Sequence, residues 1–100
     1  MRPEDFGLTV EIEEITPELA TQYLSNNAKH REINPRKVEK LAADLDSQNW
    51  QLNGKVIIFD STGRLLNGQH RLSACAVSGK TLTTLVVRGV DPATFDSTKD

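Results

Sequence analysis

One ten-residue segment, Leu65–Ala74, most constrains the fold of this 100-residue chain. It reads LLNGQHRLSA, an apolar pair followed by Asn67-Gly68 and then by a stretch without turn residues. Glycine at such a turn permits unusual backbone angles and lets other atoms approach closely. The segment predicts a strand, a tight turn and a helix over residues 69–78, which Gly79 would close. A chain built around this unit has to combine strands and helices in one core.

The flanking sequence predicts the remaining elements. Alternation over residues 7–15 places Leu8, Val10 and Ile12 on one face of a half-buried strand. Thr16-Pro17 and Asn34-Pro35 are typical helix starts. The second of these helices is amphipathic, with an apolar stripe of Val38, Leu41, Ala42 and Leu45.

Three further strands complete the prediction. Residues 56–59 and 64–66 would form a hairpin around a turn at 60–63, and residues 82–87 a last strand. The predicted order is β-α-α-β-β-α-β, a small mixed α+β domain over residues 1–100. Residues 91–100 carry no clear periodicity, so we expect either a flexible tail or a truncation point there.

Composition excludes several classes of protein. The net charge of -2 excludes binding of nucleic acid by bulk charge alone. Cys75 is the only cysteine, so no internal disulfide can form, and with two histidines we predict no structural metal site. Cys75 itself is expected to be a small buried side chain. Without a long apolar run or a signal peptide, we expect a cytoplasmic protein with no membrane partner.

The turn before the third predicted helix also suggests a binding site. A helix N-terminus exposes backbone N–H groups and a partial positive charge. Gly68 would let a ligand approach the backbone, and the guanidinium of Arg71 could form a bidentate hydrogen-bonded pair with a phosphate. These features favour an anion site, most naturally for a nucleotide phosphate.

The segment LLNGQHRLSA resembles the phosphate-binding motif of the ParB/sulfiredoxin superfamily. The resemblance covers about residues 31–90, because INPRKVEKLAADLDSQNW and KVIIFDSTGRLLNGQHR resemble the helix and hairpin before that motif. It is strongest for the ParB-like proteins of bacteria and phages that carry a DGQHR motif and are often described as nucleases. The fold that it implies is the same α+β arrangement.

The resemblance implies roles for the motif residues. Gly68 would be the glycine of close approach, and Arg71, His70 and Gln69 would contact the phosphates. Gln69 stands where sulfiredoxins have their reactive cysteine, so sulfiredoxin activity is not expected. Asn67, which replaces the aspartate of the DGQHR relatives, would be an accessory residue.

Residues upstream of the motif extend the predicted site. Arg31 would correspond to an arginine that reaches towards the nucleotide, as a second accessory residue. A basic cluster nearby could contact nucleic acid, although a solvated helix face is the alternative; it contains Lys29, Arg36, Lys37 and Lys40.

Three functional hypotheses follow. The first is a domain that binds a nucleoside triphosphate, CTP or ATP, with Mg²⁺, and acts as a switch or weak NTPase in DNA transactions of a bacterium or phage-infected host. The second is a ParB-like DNA nuclease. The third is a non-catalytic module that binds DNA or protein. Homodimerisation and further C-terminal domains, both features of full ParB-type proteins, stay open.

Overall fold

The computed structural model describes residues 1–26, 33–46 and 56–93 of the chain. A 3-10 helix over Pro3–Phe6, which the sequence did not indicate, precedes the regular elements. The strands and helices are β1 (Thr9–Ile15), α1 (Pro17–Leu24), α2 (Pro35–Asp46), β2 (Val56–Asp60), β3 (Leu65–Asn67), α3 (Gln69–Ser78) and β4 (Leu82–Val90). The predicted order and the α+β class are confirmed.

The four strands form one mixed sheet in the order β1-β4-β2-β3. β1 runs antiparallel to β4, with Ile15 opposite Leu82. β2 and β4 are parallel, so the chain has to cross over between them, and α3 lies in that connection. β2 and β3 form the predicted antiparallel hairpin.

The three helices cover one face of this sheet. Ile57 and Val86 are neighbours on that face and are completely buried. They belong to one apolar cluster with residues from all three helices, including Ala20, Ala42 and Leu72. α3 packs against both α1 and α2. As predicted, Val38, Ala42 and Leu45 of α2 are buried in this core.

One prediction about β1 is wrong. We expected the face with Val10 and Ile12 to be the buried one, but these side chains are 47% and 59% exposed. The opposite face holds Glu13 and Ile15, and Ile15 enters the core. Side chains alternate between the two faces of a strand, so Ile15 projects to the face opposite Val10 and Ile12. The helices pack against the face of Ile15, whose side chain lies in the core at the end of β1.

Two other differences are smaller. β4 continues to Val90, three residues beyond its predicted end. Glu13, on the face of β1 opposite Val10 and Ile12 that the alternation assigns to solvent, is half-buried and bonded to other side chains. The longest helix in the described ranges, α2, has 12 residues, and no helix there could cross a membrane. The predicted tail beyond residue 93 lies outside the described residues.

Candidate functional site

The site begins at the turn from β3 into α3. Gly68 takes the N-cap position with φ 110° and ψ 10°, a backbone conformation that favours glycine. A Cβ atom at this position would lie 2.8 Å from Cγ1 of Ile57 and 3.3 Å from its Cα. Gly68 therefore lets α3 start in direct contact with β2. The group that Gly68 approaches closely is therefore Ile57 of the same chain.

Asn67 and Gln69 hold this turn from either side. Oδ1 of Asn67 accepts a hydrogen bond of 2.8 Å from the backbone N–H of Gly68. Gln69 is only 1% exposed, and its Nε2 donates to the carbonyl of Leu66 over 3.4 Å. Its contribution to a phosphate site stays a prediction, since the side chain lies inside the fold.

His70 joins α3 to the beginning of α2. Its Nε2 accepts a hydrogen bond of 3.0 Å from the backbone N–H of Asn34. Asn34 in turn caps α2, because its Oδ1 accepts from the N–H groups of Arg36 at 3.0 Å and Lys37 at 3.4 Å. The N-termini of two helices, each with a partial positive charge, are thereby held beside each other.

Arg71 is half-buried and reaches the start of β2. Its guanidinium donates a hydrogen bond to the backbone carbonyl of Val56. Burial lowers the pKa of Arg71, although an arginine side chain stays protonated in proteins. A guanidinium has five N–H groups, and the carbonyl of Val56 needs only one of them. Arg71 thus has a structural bond and still places positive charge in the first turn of α3.

The basic cluster is described only in part. Arg36, Lys37 and Lys40 are exposed on α2, whose first turn adjoins His70. Lys29 and Arg31 lie outside the described residues, so their predicted roles stay predictions. The described part of the cluster is therefore brought to the same end of the molecule as the motif of α3.

An apolar groove runs between α2 and α3 from this end. Its volume is about 390 Å³. It starts at Ile33 and Pro35, the two neighbours of Asn34, and Val77 of α3 borders it with 73% of its surface exposed. The remaining lining residues are Val38, Glu39, Ala42 and Ser73. No local pattern in the sequence predicts this groove, because it depends on how the two helices pack.

A second polar cluster, which the sequence did not reveal, joins three elements. Arg88 of β4 pairs with the carboxylate of Glu13 and donates to the hydroxyl of Tyr23 over 2.9 Å. The hydroxyl of Tyr23 donates to Glu13 over 2.8 Å, and the guanidinium lies 5.1 Å from the ring centre of Phe59. Burial alone would raise the pKa of Glu13, but the bonds from Arg88 and Tyr23 lower it overall. Burial and the carboxylate of Glu13 raise the pKa of Tyr23.

Cys75 has the structural environment that the sequence predicts for it. The side chain is completely buried, and its Sγ lies 3.3 Å from the carbonyl oxygen of Ile15 and 3.1 Å from that of Lys80. Burial raises the pKa of the thiol. A thiol of this kind is a poor nucleophile.

Within the described ranges, no three His, Cys, Asp or Glu side chains are grouped as ligands for a metal ion. Comparisons of the chain with protein-family models, with curated proteins and with solved structures give no match. The residues around the start of α3 are therefore the features of the chain that bear on its function.

Proposed function

We propose that this domain binds a nucleoside triphosphate at the N-terminal turn of α3 and acts as a nucleotide-dependent switch or weak NTPase. One observation carries the proposal. The N-cap of α3 is a glycine with no side chain to occupy the helix end, and His70 and Arg71 lie in the turn that follows. The first hydrogen bond of the helix is made by the N–H of Leu72 to Gly68, so the end of α3 that carries the partial positive charge lies at Gly68.

The surrounding charge supports the same ligand. The bond between Asn34 and His70 brings the first turn of α2, with Arg36 and Lys37, next to this end of α3. Two helix N-termini and several basic side chains favour a ligand with several negative charges. The triphosphate of a nucleotide meets this requirement better than a single phosphate.

The groove between α2 and α3 supports a ligand with an apolar part. It begins at the neighbours of Asn34, so a base or ribose could lie in it while the phosphates face the start of α3. Mg²⁺, if used, would be held mainly by the phosphates, because Oδ1 of Asn67 already accepts the N–H of Gly68. A role in DNA transactions comes from the ParB-like resemblance alone, as does the choice between CTP and ATP.

Calorimetric titration with ATP, CTP, GTP and UTP, each with magnesium, tests the proposal. We expect saturable binding of one nucleotide and its loss in Arg71→Ala. Lys80→Ala is the matched control, because it removes one positive charge beyond the opposite end of α3, where Lys80 is exposed. Since Arg71 also bonds β2, the exposed Lys37→Ala variant tests the site without touching the core and should weaken binding. Absence of binding by all four nucleotides would contradict the proposal.

A non-catalytic binding module is the second candidate, and a specific observation favours it. Gly68, His70 and Arg71 each have a structural partner in the fold, in Ile57, Asn34 and Val56 respectively. The motif would then preserve the fold and contribute no ligand contact. Absence of binding by all four nucleotides to the folded, unsubstituted protein would favour this candidate. The nuclease alternative predicts magnesium-dependent nicking of a supercoiled plasmid that Arg71→Ala no longer shows.

A further inference from the structure

The face of the sheet opposite the helices has an aliphatic middle, next to which lie the polar Glu14 and Thr83. Two rows of aliphatic side chains cross three strands there, Ile12 with Leu85 and Val56, and Val10 with Val87 and Ile58. Val10 and Ile12 at the β1 end are 47% and 59% exposed, whereas the other four are half-buried. An aliphatic surface of this kind usually marks an interaction site when it lies open to solvent.

The outer edge of β1 adjoins this surface. In the described part of the chain β1 pairs with β4 alone, so the backbone groups of its other side line the edge of the sheet. The strand has seven residues in continuous register with β4, without a bulge and without proline. It thus lacks two of the features by which proteins prevent a further strand from pairing with an edge.

Charge distinguishes the possible occupants of this edge. The described segment 1–26 is strongly acidic, with one basic residue, Arg2, against six acidic ones: Glu4, Asp5, Glu11, Glu13, Glu14 and Glu18. Antiparallel pairing of β1 with a second copy about Ile12 would place Glu11 opposite Glu13 of that copy. Arg88 compensates each Glu13, so the repulsion comes from bringing the exposed Glu11 and Glu14 of two copies together, and like charges close to each other destabilise a pair of strands. A basic partner is favoured for the same reason.

The alternation along β1 specifies the pattern of that partner. Val10 and Ile12 project to the open face, whereas Glu11 projects to the face that carries the helices. Glu13 is already paired with Arg88, so the exposed Glu11 is the acid available on that face. A strand added beside β1 would place every second residue next to the aliphatic rows and the intervening ones next to Glu11.

We propose that β1 is a docking edge for an extended segment of another protein in which aliphatic residues alternate with lysine or arginine. The segment would join the sheet as a fifth strand, with main-chain hydrogen bonds to β1. Its aliphatic residues would extend the rows that end at Val10 and Ile12. Its basic residues would pair with Glu11 and reduce the acidic charge of this region.

A short peptide that alternates valine and lysine, with blocked termini, is the probe. Fluorescence anisotropy should show saturable binding to the whole chain, and amide hydrogen exchange of β1 should slow in the complex. Glu11→Lys should weaken binding by about tenfold or more. Ile12→Thr, which keeps a β-branched residue on the strand, should also weaken it. Both positions are exposed, so neither variant should disturb the core.

The controls separate strand pairing from general attraction of charge. A peptide in which proline replaces a central valine keeps its charge but loses one main-chain donor and cannot continue as a paired strand, so it should bind much more weakly. Asp46→Lys makes the same charge change as Glu11→Lys at the exposed end of α2, and it should leave peptide affinity within about twofold, since surface charges act weakly beyond a Debye length. Equal binding of the proline peptide, or unchanged exchange of β1, would overturn the proposal. A concentration-dependent dimer in which β1 becomes protected would also overturn it, in favour of a second copy.

Discussion

The backbone N–H of Asn34 donates a hydrogen bond to Nε2 of His70 over 3.0 Å, and this bond connects the beginning of α2 with the first turn of α3. The two residues are 36 positions apart in the sequence. Nε2 can accept this bond only without a proton, so the ring that makes the bond is neutral and carries its proton on Nδ1. His70 therefore has a structural role that holds the two helix N-termini of the candidate site together.

Replacing His70 should loosen this connection. His70→Ala removes the acceptor for Asn34, and we expect the free energy of unfolding to fall by about 1 kcal/mol. Urea denaturation would measure this loss, and amide hydrogen exchange of Asn34 should become faster. Ser73→Ala, one turn further along α3, is the matched truncation and should have a smaller effect. Unchanged exchange of Asn34 in the His70 variant would contradict the assigned role.

Alanine at Gly68 should be far more damaging than alanine at Gly79. Both glycines have positive φ, 110° and 72°. A Cβ at Gly68 would meet Ile57 at 2.8 Å, whereas a Cβ at Gly79 has no neighbour within 4 Å. Gly79→Ala should therefore cost about 1–2 kcal/mol from backbone strain alone. Gly68→Ala should cost about 3 kcal/mol or more, because steric conflict adds to the strain. If urea denaturation showed that both variants lose the same free energy of unfolding, β2 would have to move away from residue 68 to make room for the added Cβ.

The elements of this fold could be predicted because each has a local signal. Thr16 and Asn34 accept backbone hydrogen bonds at the helix starts as their sequence context suggests. The stripe of α2 and the closure of α3 by Gly79 also follow from neighbouring residues. Local signals of this kind do not depend on which strands pair.

The face of β1 and the partners of the motif could not be predicted in the same way. Val10 and Ile12 alternate like a buried strand, but burial was decided by the helices that pack next to Ile15. The partners of His70 and Arg71, Asn34 and Val56, lie on other elements. The pairing of Glu13 with Arg88 depends on the register of β1 and β4, across 75 residues. Such contacts are consequences of tertiary packing.

Cys75 should react with thiol reagents only when the core opens. It is the only cysteine of the chain, its side chain is completely buried, and burial raises the pKa of its thiol. Reaction with a disulfide reagent at neutral pH should thus be slow in buffer and fast in concentrated urea. The rate at intermediate urea should follow the unfolding transition measured by circular dichroism. Fast reaction in buffer would contradict the buried position.

Asp60 should contribute stability at neutral pH that is lost in acid. The carboxylate is 2% exposed, and its Oδ1 accepts from the backbone N–H and hydroxyl of Thr62 and from the N–H of Arg64. Its Oδ2 pairs with the guanidinium of Arg64 over 3.4 Å. Burial by itself would raise the pKa of Asp60, but these bonds outweigh burial and lower it.

A lowered pKa in the folded state gives the pH dependence its sign. Below about pH 4 the unfolded chain binds the proton of this residue more readily than the folded one, so acid favours unfolding. The contribution is complete above that range and disappears as the pH falls through the folded pKa.

Asp60→Asn should therefore lower the free energy of unfolding by about 1–2 kcal/mol at neutral pH. Urea denaturation between about pH 7 and about pH 2 should show the two proteins converging in acid. Asp46→Asn removes the same charge at the exposed end of α2 and should cost less at neutral pH. A constant difference between Asp60→Asn and the unsubstituted protein at every pH would contradict this role of the carboxylate.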